Sequence, residues 1–254
     1  MDRTPSTPDD WEDHWSRLGD AAESNPAQAF RFHLVRRYLA DLGQGSRLLD
    51  LGCGTGGLLE YLGSGDLNFD ATGLELSAAG VARATERLPD ARFIQCDLLA
   101  PEPPDLELLG WAEQATCSEV LEHLNNPKLF LERARPLLRP GARLVVTVPA
   151  GPMSAYDHYI GHRRHYDPMS LRLLLESAGF EVESVFGHGL PFFNLYRLTV
   201  IARGERLVRD ADLGEKDLGA IARLAMRTFG LLLRLPMVRS RLGWQLVGVC
   251  HAPA

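Results

Sequence analysis

The stretch "LLDLGCGTGG", Leu48 to Gly57, sets an acid, Asp50, two residues ahead of a run that holds Gly52, Gly54, Gly56 and Gly57. Glycines at the step from an apolar strand into a helix admit positive φ angles and let a ligand approach bare backbone, with the NH groups of the next helix turned toward it. Two ligand chemistries compete for such a turn. Gly52, Gly54 and Gly57 satisfy the dinucleotide spacing G-x-G-x-x-G, whereas Asp50, Gly52, Gly54 and Gly56 satisfy an acid-led G-x-G-x-G.

The acids discriminate. A pyrophosphate site gains nothing from Asp50, but a ligand carrying an ammonium and a sulfonium, such as S-adenosylmethionine (SAM), favours an acidic rim. Glu75 ends "GLEL" about 20 residues on, where a carboxylate can accept from both ribose hydroxyls in either ligand. Asp97, in "FIQCDLL", is placed to accept from an adenine amino group, its competing role being a plain loop aspartate. Cys53, Leu76, Leu98 and Ser118 flank these positions and complete the expected cofactor-binding set.

A second constellation lies in "CSEVLEHLNNP". Read as a helix, its spacing brings Glu119, Glu122 and His123 to one face. With His162 from "AYDHYIGHRRHYDP" they would form a ligand set suited to Mg²⁺, Mn²⁺ or Zn²⁺. Without a metal, His123 and His162 are the candidate general bases, because an imidazole titrates near working pH. The competing role for Glu122 and His123 is structural, as cap, packing or pair.

The elements that must position these residues alternate in period. Short apolar runs ("RLLDLG", "FDATGLEL", "ARFIQCDLL", "WAEQATCSEV", "ARLVVTVPA", "EVESVFGH") are separated by helical segments, among them "NPKLFLERARPLLRPG" and "PMSLRLLLESAGF". This predicts an α/β fold, a doubly wound, seven-stranded, mostly parallel sheet closed by "GWQLVGVCHAP". The expected organisation is a helical lead-in over 1–45, with a helix from Asn25 to Gly43, a Rossmann-like core over 46–190, a helical lid over 191–242 and a final core strand over 243–254. Trp11 and Trp15 in the lead-in are candidates to close the pocket.

These positions resemble the SAM-dependent class I methyltransferases. The resemblance implies that Asp50 organises the methionine end, that Gly52 and Gly54 pass under SAM, that Glu75 holds the ribose and that Asp97 meets adenine. "SEVLEHL" resembles the segment of ubiquinone-pathway O-methyltransferases and small-RNA 2′-O-methyltransferases in which E-x-x-E-H and a later histidine form a metal site, and His162 matches that histidine. "GHRRHY" resembles a G-H-x-R-R-Y loop of bacterial methyltransferases, with His165 departing from its pattern. The implied activity is O-methylation of a small metabolite: a sugar, phenol, carboxylate or specialised metabolite. The alternatives are an N-methyltransferase, an NAD(P)-dependent oxidoreductase without a visible Y-x-x-x-K set, and a non-catalytic SAM-binding subunit.

Bulk properties agree with a small-molecule partner. A net charge of −6 argues against a nucleic-acid binder. Four scattered cysteines suggest neither zinc knuckle nor disulfide framework, and the polar N-terminus and the lack of a run of roughly 20 apolar residues point to the cytoplasm and to no membrane span. The tail over 191–241 mixes arginines with apolar residues, the composition of a substrate lid, a dimer surface or a peripheral membrane contact, so a monomer and a homodimer both stay open. Arg197, Arg203 and the Arg163–Arg164 pair are candidate grips on an anionic substrate.

Overall fold

The computed structural model describes residues 11–12, 25–63, 68–100, 106–212, 220–233, 235 and 239–254. Seven strands form one sheet: β1 (Arg47–Leu51), β2 (Asp70–Glu75), β3 (Arg92–Gln95), β4 (Ala112–Ser118), β5 (Leu138–Pro149), β6 (Glu181–His188) and β7 (Gln245–His251). Their order is β3-β2-β1-β4-β5-β7-β6; β1 to β5 pair in parallel, and β7 runs antiparallel to both its neighbours. The order reverses between β1 and β4, and that switch point opens the crevice beyond the carboxyl ends of the strands.

Alternation along the strands fills both faces. Leu144, Val146 and Val148 of β5 pack with Leu131 of α4 (Pro127–Ala134) and with Leu171 and Leu175 of α6 (Pro168–Ser177). Val145 faces the other way and joins Val247 and Val249 of β7 against Phe30 and Leu34 of α1 (Pro26–Tyr38). Leu48 of β1 packs on that side with Leu58, Leu59 and Leu62 of α2 (Gly57–Gly63).

Caps set the helix starts. Asn25 accepts from Ala27 N with Pro26 at the first helical position, Ser77 caps α3 (Ala78–Arg87), and a capping box of Ser154 and Asp157 opens α5 (Ala155–Tyr159). Two expected boundaries shift. Helix α1 ends at Tyr38 rather than Gly43, because Leu39 is already extended. The predicted helix through "NPKLFLERARPLLRPG" gives way to a 3₁₀ turn at Arg135–Leu137, and β5 begins at Leu138.

Helices α7 (Phe192–Asp212) and α8 (Ala220–Leu232) lie between β6 and β7 in sequence, as expected for the insertion. No described helix is long and apolar enough to cross a membrane, and the four cysteines are free.

Candidate functional site

The glycine turn joins β1 to α2 at the switch point. Gly52, Gly54 and Gly56 all have positive φ (75°, 54° and 78°), a backbone that L side chains rarely adopt. At Gly52 the space is closed as well: an added Cβ would lie 2.6 Å from Val120 Cγ2. The bare backbone therefore lets the turn lie against the segment that follows β4.

Glu75, at the end of β2 and 6% exposed, holds this turn. One carboxylate oxygen accepts from Gly54 N (2.9 Å) and the other from Ser77 N (3.0 Å), coupling the glycine turn to the start of α3. Asp50 sits one layer deeper, 2% exposed, paired in register with Gly73 and Thr116, and accepts from Thr116 Oγ1 at 2.6 Å. Burial pushes its carboxyl up to about 7; the Thr116 hydrogen bond pulls against that rise and the neighbouring Glu75 charge adds to it.

Not every flanking residue turns to the crevice. Leu98 is 4% exposed within the main core, and Cys53 is buried against Gly73, where an added Cβ would meet its sulfur at 2.6 Å. Their side chains pack into the protein, which leaves only backbone atoms of these two residues to face a cofactor. Leu76 is 46% exposed and Asp97 is exposed, with one oxygen accepting from Leu99 N in a local turn. Ser118 ends β4 with its hydroxyl 2.8 Å from Thr147 Oγ1.

The segment after β4 is a turn, and this overturns the helix expected for "SEVLEHL". Glu119 has φ 57°, a left-handed backbone that breaks the chain direction before a helix can form. Its Oε1 accepts from Thr147 Oγ1 (3.1 Å) and Gln245 Nε2 (2.8 Å), and its Oε2 lies 3.6 Å from Arg31 Nη1. Glu119 therefore stands outside the group it was expected to lead. Glu122, His123 and His162 do come together, offering ligand atoms that all lie within 4.8 Å of one another.

Glu122 is fully buried, and neither carboxylate oxygen has a hydrogen-bond partner among the described residues. Burial, then the Glu119 charge, raises its pKa well above the carboxylate range. The His123 and His162 rings stand edge to face with centroids 4.6 Å apart. Burial, then His123, lowers His162 to about 2, so its imidazole is neutral. His162 Nδ1 lies 3.2 Å from His165 Nε2, and His165 Nδ1 lies 2.9 Å from the Gly151 carbonyl. A carbonyl only accepts, so His165 carries its proton on Nδ1, and a neutral His165 then takes a proton from His162 Nδ1. That leaves His162 Nε2 as the lone-pair nitrogen.

The arginines do other work than expected. Arg163 N donates to Glu122 O (2.8 Å) and Arg163 Nε to His123 O (2.6 Å), while Arg164 Nη2 donates to Leu124 O and Asn125 O. "GHRRHY" thus clamps the turn that carries Glu122 and His123. Arg197 of α7 makes a two-pronged pair with Asp157 (3.0 and 2.8 Å), and both side chains are buried. Burial alone would raise Asp157, but Arg197 holds it down at about 2. The Arg197 guanidinium is committed inside the protein, which corrects its assignment as a substrate grip, whereas Arg163 and Arg203 are exposed.

Trp11 packs edge-on against His123 (centroids 4.8 Å apart), and the Glu12 carboxylate accepts from Ala78 N and Ala79 N at the start of α3. These consecutive residues reach from the turn after β4 to the start of α3, with Trp11 against the His123 ring; Trp15 lies outside the described residues. A lone tryptophan in an acidic segment carried no signal for which side chain it would meet.

A parallel sheet with a glycine turn, a buried acid at the end of β1 and a second at the end of β2 defines a SAM-dependent methyltransferase. The chain belongs to the methyltransferase-domain family, whose model matches residues 25–185. It is 29% identical over 215 residues to a probable S-adenosylmethionine-dependent methyltransferase of Mycolicibacterium smegmatis, covering 80% of each chain. It is 27% identical over 170 residues to the ubiquinone biosynthesis O-methyltransferase of Aeromonas salmonicida, covering 61% of this chain and 71% of that one. Among solved structures it superposes on the [4+2]-cyclase SpnF with a TM-score of 0.63 at 17% identity, covering 98% of both chains. Phosphoethanolamine N-methyltransferase 2 of Haemonchus contortus, with S-adenosylhomocysteine bound, gives 0.63 at 17% identity over 99% of this chain and 61% of that one. These two show the fold alone. Family membership makes SAM the cofactor and sets the NAD(P) alternative aside.

Proposed function

We propose that this methyltransferase alkylates an oxygen of a small metabolite bound between the glycine turn and the Glu122–His123–His162 cluster. The observation that carries the reading is the Glu122 carboxyl, buried beside two histidines and without a hydrogen-bond partner among the described residues, as a group that takes up a ligand, ion or proton would be. The O-methyltransferase among the relatives supports the choice of acceptor atom.

In this reading SAM lies across Gly52, Gly54 and Gly56, with its ribose hydroxyls on Glu75, its adenine between Leu76 and Asp97, and its methionine end toward Ser118. Asp50 acts from below, setting the charge under the turn rather than touching the cofactor. The acceptor O–H bond breaks as its oxygen attacks the methyl carbon in line, and the C–S bond breaks to leave a neutral thioether. The proton passes to the cluster with His123 as the accepting base, since the burial that lowers His162 leaves its Nε2 a hydrogen-bond acceptor that stays neutral at working pH.

A divalent cation fits the donor set, since two imidazoles and a carboxylate with free oxygens match borderline metals. Bound there, it would lower the pKa of an acceptor hydroxyl. Glu122, His123 and His162 would hold it, with Glu119 kept aside by Gln245 and Arg31.

The test is release of S-adenosylhomocysteine with a pool of phenolic, sugar and carboxylate acceptors, with and without chelation. His123→Ala and His162→Ala are expected to lose at least about 100-fold in turnover, the range of a lost acid–base or ligand group, with SAM affinity within threefold. SAM affinity falling in parallel would refute the assignment. Full activity after exhaustive chelation would remove the cation and leave His123 as the base.

A further inference from the structure

Helix α8 is apolar on two opposite faces. Met226, Phe229 and Leu233 turn inward to the cluster built around Phe30, Leu34 and Tyr196. Half a turn away by helical spacing, Leu224 and Leu231 are each 66% exposed, and Leu235, just past the helix end, is 48% exposed. Arg227 is exposed between them. A surface helix ordinarily carries polar residues on the face turned from the core.

The charge of the same segment is equally out of character. Ala220–Leu242 holds five arginines and no acidic residue, whereas the other 231 residues hold 22 basic against 33 acidic ones. Exposed leucines beside arginines, whose long stems can lie along apolar surface while the heads reach anionic groups, form the pattern of a helix lying in a membrane interface. A second copy of the chain fits less well: a two-fold contact through this face would bring Arg227 toward the Arg227 of the partner.

We propose that the outer face of α8 docks on an anionic bilayer, with Leu224, Leu231 and Leu235 entering the headgroup boundary and Arg227 and Arg241 meeting lipid phosphates. The contact is coupled to the site. Phe229 packs on Tyr196 (5.5 Å between centroids), the next residue, Arg197, holds Asp157, and Asp157 Oδ1 lies 3.9 Å from His162 Nδ1. The bilayer would thus lie against α8, which packs on α7, the helix whose Arg197 holds Asp157 beside the cluster. The docking itself does not depend on the acceptor assignment.

The experiment is co-sedimentation of the full chain with vesicles of phosphatidylcholine alone and of phosphatidylcholine mixed equally with phosphatidylglycerol. Binding is expected only to the mixed vesicles and should weaken as salt rises. Arg227→Gln with Arg241→Gln should lower the partition coefficient by about 25-fold, at about fivefold per charge. Leu224→Gln with Leu231→Gln should lower it by at least tenfold while the melting temperature and SAM affinity stay unchanged. No binding to the mixed vesicles, or binding untouched by both double variants, overturns the proposal. A dimer in sedimentation velocity that Leu231→Gln dissociates overturns it in favour of self-association.

Discussion

Asp50 is a carboxylate that the fold keeps at a cost, and Asp50→Asn exposes that cost. The group titrates near 7 when folded, against an ordinary 3.8. A folded pKa above the unfolded one means the folded protein binds the proton more tightly. Its stability contribution is therefore complete below about pH 4 and is lost as pH rises through 7. At pH 8 the difference is worth about 4 kcal/mol, at about 1.4 kcal/mol per tenfold change in proton affinity. Asparagine keeps the Thr116 contact through its amide oxygen and carries no charge. At pH 8 the variant should thus melt higher by about 8–16 °C, given roughly 2–4 °C per kcal/mol in a domain of this size. The gap should narrow below pH 7 and close near pH 4. The same variant should bind SAM at least tenfold more weakly, since it removes the negative charge under a cationic ligand. Scanning calorimetry from pH 4 to 8, with SAM titrations at pH 8, reads both effects. A variant no more stable than wild type at pH 8, or a gap independent of pH, would refute the reasoning.

Three further outcomes follow from the geometry. Glu75→Gln puts an amide NH₂ against one of the two backbone NH groups the carboxylate now accepts from; one charge-assisted bond of about 1.5–3 kcal/mol is lost, and SAM should bind about 10- to 100-fold more weakly by calorimetry. Gly52→Ala combines φ 75° with an overlap on Val120, so it should lower the melting temperature and shift the methyl resonances of Val120. Arg197→Met strands Asp157 in a buried site, a loss of about 3–5 kcal/mol that should appear as a melting temperature about 10 °C lower.

The sheet was legible because apolar runs such as "LVVTV" and "LVGVC" alternate with amphipathic segments, and the period of the pattern is the property that burial selects. The glycine turn, Asp50 and Glu75 were legible for the same local reason: their roles depend on neighbours close in sequence or on a fixed strand end. The rest depended on contacts that sequence spacing does not encode. Helical spacing placed Glu119 with Glu122 and His123, but its left-handed backbone, fixed by Thr147 and Gln245 from two other strands, turns it aside. Arg163, Arg164 and Arg197 looked unpartnered because an arginine's partner is set by tertiary packing, here the His123, Leu124 and Asn125 carbonyls and a buried Asp157. The burial of the Leu98 side chain beside the exposed Asp97 was likewise not legible, because it is set by packing in the turn after β3.

The central claim is that the glycine turn, coupled to α3 through Glu75, is built for SAM. Titration calorimetry of the wild-type chain with SAM and, separately, with NADH tests it most directly. One SAM is predicted to bind per chain, with NADH giving no heat and Glu75→Ala abolishing the SAM signal while the protein stays folded. Saturable NADH binding, or SAM affinity unaffected by Glu75→Ala, would contradict it.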